Sequence, residues 1–287
     1  MRMSNIQILE IIRKYQSMAL IPPFFLDCVV AIGVETPNGP NWLGTGFIVG
    51  RHNPDLGEPK QYNTFLVTNK HVLIDQQKII IRFNSVQGTS TKDYPYEAID
   101  NGETQWSGHP DPDVDVASFS INAKYLADDS ARFNFFSLEE HALDCSQMLA
   151  AGVSEGDPMY VLGFPLGIVT PTSNYVIVKG GVISRVRDIL EGHAKNFLVD
   201  CSVFPGNSGG PVVIRPEAIA ISDTQSVEIA ALIGVVKSYV AYEDIAISKQ
   251  TGKARVIFEE NSGLALVESV DSIKETVELE FKRSGAC

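Results

Sequence analysis

The apolar positions of this chain fall mostly in short runs separated by turn-forming residues. Residues 28–34, 45–49, 64–68, 78–83 and 114–121 are rich in Val, Ile, Leu, Phe and Thr, and each run is bounded by Gly, Pro, Asn or Asp. Strands of this length and spacing predict a small antiparallel barrel or sandwich rather than alternating β-α units. Residues 122–147 are polar and less periodic, and a second β-rich series follows at 159–162, 175–178, 181–186, 197–203, 211–214, 229–236 and 264–267. Two β-domains are therefore expected. Residues 4–15 carry Ile6, Ile8, Leu9, Ile11 and Ile12 in an amphipathic pattern that predicts a helix. Ile273, Val277 and Phe281, at i, i+4 and i+8, predict another that closes the chain, although Val277, Leu279 and Phe281 also alternate as a short strand would.

Composition narrows the classes. With 287 residues and 44% hydrophobic content the chain has material for one large or two small cores. A net charge of -12 argues against a nucleic-acid or anionic-membrane partner, because holding a polyanion takes clustered Lys and Arg. The apolar stretch 18–34 is broken by Pro22, Pro23 and Asp27 and falls short of the roughly 20 apolar residues of a membrane helix. The helical pattern at 4–15 does not read as a secretory leader. Cys28, Cys145, Cys201 and Cys287 are scattered with no C-x-x-C pair, so free thiols and a cytoplasmic location are expected.

The strongest local signal is Gly206-Asn207-Ser208-Gly209-Gly210-Pro211. Glycines on both sides of a serine permit a tight turn that exposes the hydroxyl while neighbouring backbone N–H groups point at the same spot. A Gly-rich hairpin with an idle serine is the bland alternative. A serine hydroxyl is a poor nucleophile near neutral pH and needs a base within reach. Of five histidines, His71 is best placed, just beyond the apolar run 65–68, whereas His52, His109, His141 and His193 sit in polar contexts. The base in turn needs a carboxylate to fix its tautomer. Asp115 leads the run 115–121 and is preferred to Asp113, two residues earlier on the same strand face. His109, Asp111, Asp113 and Asp115 do not make a calcium loop, because Val116 stands where a glycine is required and Asn122 where a bidentate glutamate is required. No zinc ligand set occurs, so neither a metal nor another cofactor is expected.

The order His, Asp, Ser resembles that of the chymotrypsin-like superfamily. The segments 44–49, 68–72, 115–117, 163–165, 181–184 and 206–211 are similar to the successive signatures of bacterial HtrA-type trypsin-like peptidases, over roughly residues 28–267. The resemblance implies an all-β fold of two antiparallel β-barrels: an N-terminal helical extension over 1–27, a first barrel over 28–130, a linker over 131–157, a second barrel over 158–269 and a C-terminal helix over 270–287. It implies a serine endopeptidase that acts on proteins or peptides, with His71 as general base, Asp115 orienting it and Ser208 forming the acyl-enzyme. Gly206, Asn207 and Ser208 would supply the oxyanion-hole N–H groups. A protease-fold binding module without turnover is the alternative.

Three departures qualify the resemblance. Asn207 replaces the Asp that pairs with a new N-terminal amine in the digestive enzymes, so activation by clipping is not expected. After the last strand there is room for a closing helix but not for a PDZ domain. The substrate pocket implied by the match has Ser202 at its base, Gly263 on a wall and Tyr239 near the opening, which disfavours basic P1 side chains. Lys237 falls where relatives often have a small polar residue behind the aspartate. The segment 241–260 reads as a lengthened hairpin, and it and the N-terminal helix are the candidate contacts for an activating partner or a second copy in a homo-oligomer.

Overall fold

The computed structural model describes residues 20–88, 90–170, 172–217 and 227–285, so the helix expected over 4–15 lies outside the described residues. The first β-domain contains β1 (Val29–Val34), β2 (Asn41–His52), β3 (Tyr62–Thr68), β4 (Lys78–Ser85), β5 (Thr91–Glu97), β6 (Ile99–Asp100), β7 (Glu103–Thr104), β8 (Ser107–Gly108), β9 (Ala117–Ser120), β10 (Ala131–Arg132) and β11 (Phe136–Ser137). Seven of these run in the order β10-β4-β1-β2-β3-β9-β8, with β5 added to β4 and β11 to β2, while β6 and β7 pair separately. The second domain contains β12 (Pro158–Gly163), β13 (Ile177–Arg185), β14 (Asn196–Asp200), β15 (Pro211–Ile214), β16 (Ala231–Ile247) and β17 (Ala254–Ser269), closed into a barrel in the order β12-β13-β14-β17-β16-β15.

The central strands of the first domain read as continuous apolar runs because both of their faces are covered. Side chains alternate across a strand. Val30, Ile32, Ile48 and Leu66 point into that domain's own core, and Val29, Ala31, Phe47, Val49, Phe65 and Val67 point into a second core shared with Leu162, Phe164, Val213, Leu232 and Val235 of the other domain. A third cluster, with Val161, Ile183, Val199, Val212 and Ile233, fills the second barrel. The shared core welds the two domains along the line where the candidate residues lie.

The expected linker over 131–157 is shorter in the structure. Residues 131–132 pair with β4 and 136–137 with β2, so the first domain extends past residue 130. Two-residue strands carry no period that a sequence pattern can show. The helix Cys145–Ala150 begins with a capping box in which Asp144 accepts from Gln147 N–H and the Gln147 side chain accepts from Asp144 N–H.

Beyond β17 the chain forms the expected C-terminal helix, Val270–Ser284. It starts on the second barrel and packs on the first domain, where buried Glu280 accepts from the Ser120 N–H at 3.1 Å and the Ser107 hydroxyl at 2.7 Å. Lys274 donates to Asp144 at 2.7 Å. Burial pushes the Asp144 carboxyl up, but Lys274, Ser146 and the Gln147 N–H together outweigh it and hold the pKa down to about 2. A depressed carboxylate stabilises the fold above its unfolded value and loses that contribution as pH falls through its folded value. Thermal unfolding should therefore show stability dropping between about pH 4 and pH 2. Lys274→Met should shrink that drop, and an unchanged slope in the variant would exclude Asp144 as its source.

Candidate active site

His71 sits on the single helical turn Lys70–Leu73 that follows β3. Its ring Nδ1 lies 2.5 Å from Asp115 Oδ2, and its backbone N–H donates to Asp115 Oδ1 at 3.2 Å. Asp115 grips both the ring and the backbone of the histidine, which fixes the ring's orientation. Burial of Asp115 pushes its carboxyl up, but the His71 hydrogen bond and charge, with the His71 and Lys70 backbone N–H groups, outweigh burial and leave it below the ordinary carboxylate value. Asp115 precedes its strand: β9 starts at Ala117, so the carboxylate is aimed by the loop 109–116 rather than by a strand face. The rival Asp113 has an exposed side chain 3.6 Å from Lys195 and is not part of the pair.

That loop is tied down on every side. His109 N–H donates to Val116 O at 2.9 Å, Lys70 Nζ to Asp111 O at 2.9 Å, and buried Asn69 Nδ2 to Asp115 O at 2.6 Å. The His109 ring meets Glu275 of the C-terminal helix at 2.8 Å. Behind Asp115, fully buried Glu268 at the end of β17 accepts from the Asp115 N–H at 3.0 Å and pairs with Lys237 at 2.9 Å. Lys237 also donates to Asp113 O at 2.5 Å. Lys237 therefore does not touch the Asp115 carboxylate; it braces the loop, with Glu268, from the second barrel. Glu268 was not singled out by the sequence pattern, where its only mark is a charge closing the apolar run 264–267.

Ser208 lies on the turn between β14 and β15. Gly206 and Gly209 have φ of 96° and 81°, and a Cβ would lie 2.4 Å from Phe164 O at the first and 2.1 Å from Thr45 O at the second, so the turn closes only around glycine. Thr45 of β2 rivets the turn to the other domain: its hydroxyl donates to Gly206 O at 2.6 Å and accepts from Phe164 N–H at 3.1 Å, while its own N–H donates to Ser208 O at 2.9 Å. Asn207 is fully buried, and its Oδ1 accepts from the Phe204 N–H at 3.0 Å. The side chain that replaces the ion-pairing aspartate of digestive relatives thus braces the turn from within. The expected third oxyanion donor is corrected, because the Asn207 N–H is already committed to Phe204 O at 2.9 Å. The N–H groups of Gly206 and Ser208 have no protein acceptor among the described residues. The Pro205 carbonyl is held by the Leu166 N–H at 2.6 Å, and in a planar trans peptide this turns the Gly206 N–H the opposite way.

The Ser208 hydroxyl contacts Lys237 O at 3.5 Å, and no hydrogen bond joins it to His71. Unliganded sites often hold this contact open until substrate arrives. Of the expected pocket residues, Gly263 faces Ser202 Oγ and Asp200 Oδ1, each 4.0 Å from where its Cβ would stand, and Tyr239 donates to Glu259 at 2.5 Å. Cys201, seven residues before Ser208, is a poor rival nucleophile: burial pushes its thiol up, and burial pushes that of Cys145 to about 12. Among the described residues no group of three or more His, Cys, Asp or Glu side chains could hold a metal, and no helix is long and apolar enough to cross a membrane.

Two β-domains welded by a shared core, with His71 and Asp115 on one and the Ser208 turn on the other, define a protein of the trypsin-like double-barrel class. The chain belongs to the trypsin-like peptidase domain family, whose family model matches residues 44–218. A curated relative, a serine protease DegP homolog of Plasmodium falciparum, is 27% identical over 182 residues, covering 62% of this chain and 16% of its own length. The chain thus spans less than a fifth of that relative. Among solved structures, the scabies mite inactivated protease paralogue S-I1 aligns with TM-score 0.50 at 14% identity, over 91% of this chain and 96% of that one. The serine endoprotease of Yersinia pestis aligns with TM-score 0.48 at 17% identity, over 90% of this chain and 64% of that one.

Proposed function

We propose that the chain is a serine endopeptidase that cleaves peptide bonds through an acyl-enzyme on Ser208. The observations that carry this reading are the His71–Asp115 pair at 2.5 Å and a braced serine turn that leaves two N–H groups uncommitted. On substrate binding the Ser208 hydroxyl turns from Lys237 O to His71 Nε2. Its oxygen attacks the scissile carbonyl as its proton passes to His71. The Gly206 and Ser208 N–H groups hold the carbonyl oxygen as it becomes an oxyanion. The C–N bond then breaks, the proton on His71 goes to the leaving amine, and water repeats the sequence on the acyl ester to release the acid and free Ser208. Bracing by Asn207 in place of a salt bridge supports a turn formed without N-terminal processing. Ser202, Gly263 and Tyr239 favour small or medium apolar P1 residues, although the Asp200 carboxylate lies as close to the Gly263 wall as the Ser202 hydroxyl does. Cleavage of a peptide library dominated by Lys or Arg at P1 would exclude that pocket.

The alternative, a protease fold kept for binding, draws on the unformed Ser208–His71 contact. Labelling of the purified chain with a fluorophosphonate probe separates the two. Wild type should label, and Ser208→Ala and His71→Ala should not. A folded wild type that stays unlabelled would favour the binding module.

A further inference from the structure

The last hairpin of the second barrel leaves it. β15 pairs with β16 only as far as Val235, and β14 with β17 only down to Leu264. Beyond those points, residues 241–247 and 254–261 pair with each other and with no other described strand. Among the described residues, both outer edges of this ribbon are open. An isolated two-stranded ribbon is marginally stable in water, and proteins usually defend an open edge with charge, proline or a bulge. A bulge falls at Arg255, but beyond it the outer edge of β17 presents Val256, Ile257 and Phe258 consecutively, with Ile257 61% and Phe258 54% exposed.

Charge on the ribbon is also unresolved. Glu243 stands directly opposite Glu259, and Asp244 and Glu260 adjoin them. Like charges across a pair of strands are destabilising. Arg255, which the β16–β17 register skips between Ala254 and Val256, has no ion-pair partner among the described residues.

The five residues Arg255-Val256-Ile257-Phe258-Glu259 are complementary to themselves when reversed. Antiparallel pairing centred on Ile257 places Arg255 opposite Glu259 of a second copy, twice, and Val256 opposite Phe258, twice. Each incoming arginine then lies beside the facing Glu243 and Glu259 carboxylates, and the exposed apolar side chains gain neighbours on the other face. We propose that this ribbon is a dimerisation arm whose β17 edge joins that of a second copy of the chain about a two-fold axis through Ile257, making one four-stranded sheet. An isologous contact needs a patch complementary to itself, and this segment supplies one in both charge and apolarity. A substrate or foreign strand would have no reason to match that reversal.

Because Glu259 also holds Tyr239, the leading variant is Arg255→Glu, which touches neither the candidate triad nor the pocket. Sedimentation velocity of the full chain should show a dimer. Arg255→Glu should raise its dissociation constant about tenfold or more, since the reversal sets like charges opposite each other twice. Arg255→Glu combined with Glu259→Arg should return it to within about threefold of wild type, because the pairing is restored with its signs exchanged. Circular dichroism checks that each variant is folded. A wild type that stays monomeric through the micromolar range overturns the proposal, including the case in which the ribbon serves a substrate or another protein instead. So does a dimer that ignores Arg255→Glu, or a double variant that stays as weak as the single one.

Discussion

Asp115→Asn should lower kcat/KM by about ten-thousandfold while leaving the fold intact. The asparagine can still accept the His71 backbone N–H through its oxygen, now made at 3.2 Å, and can still fill the site. Its amide would set against Nδ1 either a donor or a neutral acceptor. The first forces the proton onto Nε2, where the base must be free, and the second cannot stabilise the imidazolium that forms when Ser208 is deprotonated. Fluorophosphonate labelling should slow in parallel, since it needs the same base. A variant that retains more than about a tenth of wild-type kcat/KM would mean that Asp115 does not act through His71, and the 2.5 Å contact would be structural only.

Much of the site could be read from residue types and their launch points. A serine between glycines, a histidine just past an apolar run and an aspartate before another each announce exposure beside a rigid element, and the structure brings His71 and Asp115 into contact. Legibility ended where partners are remote in sequence. Glu268 meets the Asp115 backbone across 153 positions, and nothing around it in the chain marks a partner that far away. Lys237 likewise reads as a displaced small residue until Glu268 is seen beside it. The same limit governs the fold. Alternation disappears in β1, β2 and β3 because two cores cover both faces, and the short strands β10 and β11 hide in a polar stretch read as linker. The hairpin over 241–260 was readable as long, but its open edges follow only from where β14 and β15 stop.

Glu268→Ala should strongly destabilise the second barrel, costing about 3–5 kcal/mol of unfolding free energy in denaturant. Glu268 is fully buried, and its Oε1 serves both Lys237 Nζ and the Asp115 N–H, while Oε2 has no hydrogen-bond partner. Removing it strands the Lys237 ammonium, whose side chain is 23% exposed, with only the Asp113 carbonyl to hold it, and opens a void where the loop meets the barrel. The loop 109–116 would then lose its anchor to the second domain, so activity should fall further than stability alone explains. Lys237→Met added to Glu268→Leu separates charge from position: with no stranded ion, most of the stability should return. The Asp115 N–H would still lack its acceptor, so kcat should stay low with KM little changed. Full recovery of kcat in the double variant would show that Glu268 serves packing alone, whereas stable protein with poor turnover would mark the Lys237–Glu268 pair as what positions Asp115 from the opposite barrel.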